Sequence, residues 1–284
     1  PQFYFLIEAN KIKTQGSPRS KLIPTEEDLA ALNFDRAYQI YRDRFANAGD
    51  FTFTFVGNFD ENQIKMLSRE YLGNLPSTGR KEMWKDLNIR KPSGVVTKSW
   101  NRGEAPKTYV DITYHGTFDW NDINRYQLST MIDLLRIKLR ESLREDKGGV
   151  YGVSVNGGAQ KEPVPNYTMT ISFNCDPLRT EELIKATQDV LDNQKKIGAD
   201  TADITKVTET QRQGKIKNLK ENRYWMGQLQ QIYQLGIDPS NLPMESLEKK
   251  IATITPTSMK SVLNKYVNEG SKITITQFPE KKSN

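Results

Sequence analysis

The chain has 284 residues, 36% hydrophobic and 27% charged, with 41 lysines and arginines against 35 acids for a formal net charge of +6. That length holds one large domain or up to two ordinary ones with a full core, and the composition is globular rather than disordered. Basic residues are interleaved with acids instead of forming a nucleic-acid-binding stripe, no apolar run approaches the ~18 residues of a membrane helix, and Cys175 as the single cysteine excludes an intrachain disulfide.

The first residue is Pro1, so the chain reads as a piece of a longer polypeptide, and a periplasmic or a cytoplasmic location both stay open. Phe3 to Ile7 is an apolar stretch that reads as the end of a strand or helix, and a loop follows to Pro24. Thr25, with Glu26, Glu27 and Asp28 behind it, opens a helix with acids at the positive end of its dipole. A second helix, from about Asp35 to Ala46, carries Tyr38, Tyr41 and Phe45 on one side. Phe51-Thr52-Phe53-Thr54-Phe55 then alternates strictly, the pattern of a half-buried strand. Asp60 and Gln63 form a capping-box pattern for a helix bearing Ile64, Leu67 and Tyr71, closed by Gly73 and Pro76. From there to Gly94 the chain is polar and punctuated by Ser77, Gly79 and Pro92, as a linker is.

Strands are predicted at Val95 to Trp100 and Thr108 to Tyr114. Asn121 or Asp122 caps a long helix ending near Arg144, in which Leu128, Met131, Ile132, Leu135, Leu139 and Leu143 recur at helical spacing opposite Asp133, Arg136, Lys138, Arg140 and Glu141. The period changes after Gly148 and Gly149, because Val150-Tyr151-Gly152-Val153-Ser154-Val155 is strand-like. A second strand, Tyr167 to Phe173, alternates apolar residues with threonine and serine. Cys175 just beyond it reads as a small packed residue. Helices follow at about Thr180 to Ile197, Thr201 to Leu235 with a break near Gly214 or Gly227, and Leu242 to Ile251. Thr255-Pro256 is an N-cap and N1 pair for a last helix to Val267. Lys272 to Phe278 is a closing strand, and Lys281-Lys282 a frayed tail.

The runs from Asp35 to Gly57 and from Pro256 to Pro279 share one plan of helix, glycine-containing turn and alternating strand. A tandem duplication accounts for this: residues 1–80 are the tail of one α+β domain, 81–94 a linker, and 95–284 the next domain, with a mostly antiparallel sheet flanked by helices.

On residue types alone the chemistry is sparse. One histidine, His115, and one cysteine cannot assemble the several His or Cys ligands of a zinc or copper site, and His115 reads as a structural residue. Arg144 could pair with Glu145 or Asp146, and Tyr151 could anchor its strand. However, the run LRESLREDKGGVYGVSVNGG resembles a segment of the pitrilysin/insulysin family of zinc peptidases, which includes the mitochondrial processing peptidases. The run FTFTFVGNFDENQIKMLSREYLGNLPS resembles that family's strand, turn, helix and Leu-Pro ending, which closes a domain. The likeness covers nearly the whole chain.

This resemblance implies a metallohydrolase-like α+β fold repeated around a closed chamber. It implies zinc in the intact parent, held by an inverted His-x-x-Glu-His motif in an earlier domain. That motif is absent here, so the chain is expected to bind no zinc and to cleave nothing alone. Its partner would be the zinc-binding N-terminal half, in the same polypeptide or as a separate subunit, and its substrates peptides. Arg144 and Tyr151 match an Arg and Tyr, seven residues apart, that reach the substrate in the family's last domain. The phenol would donate to the oxyanion and the guanidinium would hold a substrate carbonyl. The alternatives are a catalytically inactive structural or chaperone-like homologue, or an unrelated basic binding module.

Overall fold

Tyr167, Met169, Ile171 and Phe173 alternate with threonine and serine, and they lie on the covered face of a five-stranded sheet. The computed structural model describes residues 2–280; Pro1 and the tail at Lys281-Lys282 lie outside them. In chain order the main elements are α1 (Gln2–Lys13), α2 (Glu26–Ala30), α3 (Phe34–Phe45), α4 (Glu61–Leu67), β1 (Val95–Asn101), β2 (Thr108–Thr117), α5 (Asp122–Arg140), β3 (Val150–Gln160), β4 (Asn166–Cys175), α6 (Thr180–Ile197), α7 (Thr201–Asn218), α8 (Asn222–Leu235), α9 (Met244–Ile251), α10 (Pro256–Tyr266) and β5 (Lys272–Phe278). The class is α+β, as expected. Strand order is β1-β5-β2-β4-β3, with β1 and β5 parallel and every other pair antiparallel.

The chain divides into two compact units, residues 1–22, 88–213 and 243–284 in the first and 23–87 and 214–242 in the second. In the first, one sheet face is covered by α5, α6 and α10. Val110, Ile112 and Tyr114 of β2 and Met169, Ile171 and Phe173 of β4 meet Leu128, Leu135 and Leu139 of α5, Leu183 and Leu191 of α6, and Met259 of α10. Each such large side chain stabilises the fold by roughly 1.5–3 kcal/mol on burial. The other face is largely polar, since Asp111, Thr113, Thr170 and Ser172 occupy the alternate positions. Its β1–β5–β2 side is covered by α1, whose Phe5 ring lies 5.7 Å from Tyr109 and 5.9 Å from Trp100 beside Ile273 and Ile275. Lys13 at the end of α1 reaches Asp111 at 2.8 Å. The apolar start of the chain is therefore a helix, and it continues through residues that the sequence marks as loop.

In the second unit Thr25 and Asp28 form a reciprocal capping box for α2, and Asn33 caps α3 through the Arg36 N–H. Asp60 accepts from the Gln63 N–H at 2.7 Å. Buried Asn47 ties the segment after α4 to the end of α3, accepting from the Thr78 N–H at 2.8 Å and donating to the Arg80 carbonyl at 3.1 Å. The predicted strand at Phe51 to Phe55 is not formed: no described residue pairs with it, and a strand needs a neighbour to take its backbone N–H and C=O groups. Its three phenylalanines, with Phe34, Tyr38, Tyr41 and Phe45 of α3, make an exposed aromatic row. Gly214 and Gly227 stay inside helices. The break instead falls at residues 219–221, where the Trp225 indole N–H donates to the freed Leu219 carbonyl at 2.9 Å.

Candidate functional site

The corner between α5 and β3 carries both residues singled out by sequence. Asn121 opens α5 by accepting from the Asn124 N–H at 2.8 Å. Leu128, Met131, Ile132, Leu135 and Leu139 then bury one stripe of the helix. The last turn, Glu141–Asp146, widens into a π-turn that keeps Leu143 fully buried and turns Arg144 outward. Such turns recur at functional positions because they reorient side chains without breaking the helix.

Three backbone bonds close the corner: Lys147 N–H to the Ser142 carbonyl at 3.2 Å, Gly148 N–H to Arg144 at 3.1 Å and Gly149 N–H to Leu143 at 3.0 Å. Gly148 has φ of 56°, which only glycine adopts readily. Gly149 is required for a different reason, because a Cβ there would sit 2.5 Å from Leu183 Cδ2 in the core. The Arg179 guanidinium donates to the Lys147 carbonyl at 3.2 Å and pairs with Glu182 at 3.0 Å, and Glu182 also accepts from Lys147. Those hydrogen bonds, from Arg179 first and Lys147 second, hold the Glu182 carboxyl below its ordinary range.

β3 is an edge strand, and its start is irregular. Val150 pairs with Cys175 and Val153 with Phe173, so Tyr151 and Gly152 together oppose the single residue Asn174. This is a β-bulge, a device that re-aims a side chain. Tyr151 is 98% exposed. Arg144 is exposed too and makes no ion pair among the described residues, since Arg140 takes Glu145 at 3.4 Å. The alternative in which Arg144 is tied to Glu145 is therefore not what the fold adopts. The corner thus presents a phenol and a guanidinium with unused hydrogen-bonding capacity on a backbone locked from beneath.

Beside the bulge, on the polar sheet face, lies a cavity of about 410 Å³ lined by Gly152, Ser154, Ser172, Asn174 and Asp111, with Phe5 of α1 opposite. Asp111 is nearly buried and accepts from Thr113 Oγ1 at 2.8 Å as well as from Lys13. Lys13 and Asp111 stand far apart in the chain, so neither residue signals their meeting.

His115 is buried in β2, with both ring nitrogens 3.5 Å from Ser271 Oγ; burial first and the Lys91 charge second push its pKa below the ordinary 6.5. Cys175 is buried, 3.6 Å from Thr180 Oγ1, and burial pushes its thiol up. Among the described residues no three His, Cys, Asp or Glu side chains gather as metal ligands, so the residues present do not fit a catalytic zinc. No helix among them is long and apolar enough to cross a membrane.

Comparison with known proteins places this corner in context. The model of the peptidase M16 inactive domain matches residues 31–210. A probable zinc protease, PqqL, of Haemophilus influenzae is 30% identical over 190 residues, covering 64% of this chain and 20% of that protein. The periplasmic protease PqqL of Escherichia coli superposes with a TM-score of 0.83 at 18% identity, over 99% of this chain and 31% of that one. The ferredoxin protease FusC, solved in complex with Arabidopsis ferredoxin, gives 0.80 at 16% identity over 99% and 30%. The chain thus spans about a fifth of the length of the curated relatives it matches. With a family model matching well over half its length, and in agreement with the resemblance in its sequence, the chain belongs to the peptidase M16 family and carries that family's inactive domain.

Proposed function

We propose that this chain is the C-terminal, substrate-binding part of a zinc metalloendopeptidase, facing a zinc site held by an N-terminal half across a closed chamber. The relatives named as zinc or periplasmic proteases support a peptidase parent, and their greater length leaves room for such a half. The observation that carries the reading is the exposed, unpartnered Arg144 and Tyr151 on a corner fixed by Leu143, Gly149 and Arg179. Side chains without internal partners on rigid backbone suit contacts made only when substrate arrives.

In this reading Tyr151 donates its O–H to the oxygen that gains charge as the peptide carbonyl is attacked. Arg144 donates to a neighbouring substrate carbonyl and adds positive potential. The metal, when bound by the other half, supplies the activated water. Residues 1–80 are assigned as the tail of the preceding domain, 81–94 as the linker and 95–284 as the last domain. The uncovered aromatic row and the unpaired segment at Phe51 to Phe55 support that assignment, being the form a domain takes without the rest of its sheet.

The test mixes this chain with the separately produced upstream half of its parent and zinc, and follows a quenched peptide. Cleavage needing both halves, and falling about 10²-fold or more in Tyr151→Phe through kcat, is the expected result. Association without zinc-dependent cleavage would instead assign the chain to a catalytically inactive partner subunit. Full activity in Tyr151→Phe and Arg144→Ala would remove the pair from the site.

A further inference from the structure

A second cavity, of about 400 Å³, opens in the first unit between the segment before β1, the end of β2 and the loop joining β3 to β4. Its volume lies in the small-molecule range of roughly 300–1,000 Å³. The lining includes Arg90, Lys91, His115, Thr117 and Asn166, and it contains no carboxylate.

Lys91 is the unusual member. Three other partly buried lysines of this unit meet acids, Lys13 with Asp111 at 2.8 Å, Lys138 with Asp203 at 2.6 Å and Lys250 with Asp122 at 2.5 Å. Half-buried Lys91 has no acidic partner among the described residues. Burial and then the Lys13 charge push its pKa below the ordinary 10.5. The His115 ring feels the same cation, which after burial pushes its pKa down. A desolvated cation with no counter-charge is costly, and an anion seated beside it offsets that cost.

We infer that this cavity binds a small oxyanion, a carboxylate or phosphate group, at Lys91, with the Thr117 hydroxyl and Asn166 amide as neutral donors. The site is separate from the Arg144 and Tyr151 corner and stands whether or not the parent is a peptidase.

His115 is the only histidine, so its ring C–H resonances report from the cavity wall without assignment. The 284-residue chain would be titrated with inorganic phosphate, with N-acetylalanine and with uncharged N-acetylalanine amide, chloride holding the ionic strength constant. A saturable His115 shift from one or both oxyanions and none from the amide is expected. Apparent affinity should weaken at least tenfold in Lys91→Gln and survive in Lys91→Arg. A response to phosphate alone identifies a phosphate source, and one to N-acetylalanine alone a free carboxylate such as a peptide end. Without ligand, Lys91→Gln should raise the His115 pKa, which checks that the variant is folded and that Lys91 faces the ring. No saturable shift in the wild type, an equal shift from the amide, or unchanged affinity in Lys91→Gln would overturn the assignment.

Discussion

Replacing Gly149 by alanine tests the corner directly. The added Cβ would lie 2.5 Å from Leu183 Cδ2, 3.0 Å from Cδ1 and 3.2 Å from Cγ, and Leu183 is fully buried. Gly149 lacks the left-handed φ of its neighbour, so the collision rather than backbone strain sets the cost. Inserting one methyl into a filled core costs about 1–3 kcal/mol. Urea unfolding should show that loss as a lowered midpoint with unchanged slope. Gly152→Ala, where nothing lies within 4 Å of the added atom, should stay within about 0.5 kcal/mol of the wild type. A double-mutant cycle sharpens the comparison. Leu183→Ala alone should cost about 2–5 kcal/mol, and combined with Gly149→Ala it should cost less than the sum, because each methyl relieves the other's defect. If Gly149→Ala is as stable as the wild type, or the two costs simply add, the corner is not held by this contact.

Tyr151→Phe and Arg144→Ala should leave the thermal midpoint of the isolated chain unchanged within error, since both side chains project into solvent; a drop of several degrees would show a structural role. Asn47→Ala should cost about 1–3 kcal/mol by leaving the Thr78 N–H and Arg80 carbonyl unpaired, and faster hydrogen exchange at the Thr78 amide checks the local cause. His115 is a base with a lowered folded pKa, so its contribution is present above the unfolded value of 6.5 and lost as pH falls through the folded pKa. Stability should therefore decline from about pH 6.5 downward, and His115→Gln should flatten that decline; parallel curves for the two proteins would refute the assignment.

The helical stripe from Leu128 to Leu143, the glycine pair behind it and the alternation of β4 were legible because each is a local pattern that burial then satisfies. The Thr255 and Asn121 caps were legible for the same reason. Segment 51–55 has an equally clean alternation, but pairing is decided by a neighbour, which the pattern cannot supply. The helix break followed the Trp225 indole rather than a glycine. At the site, residue types alone left Arg144 and Tyr151 as structural residues, and only the resemblance of their segment to the zinc-peptidase family pointed to them. The bulge that turns Tyr151 outward left only the weak trace of Gly152 inside a strand. Lys91 read as linker, because only the sheet topology brings it to His115.

Because β5 lies between β1 and β2, the latest of the described strands to be made is the one that joins them. Until Lys272–Phe278 leaves the ribosome, β1 has no neighbour among the described strands and β2 lacks its β5 partner through the whole synthesis of α5 to α10. At about 5–20 residues per second that interval is on the order of ten seconds or more. Exposed strand edges invite pairing with other chains. Losing β5 alone would therefore separate β1 from the β2–β4–β3 part of the sheet.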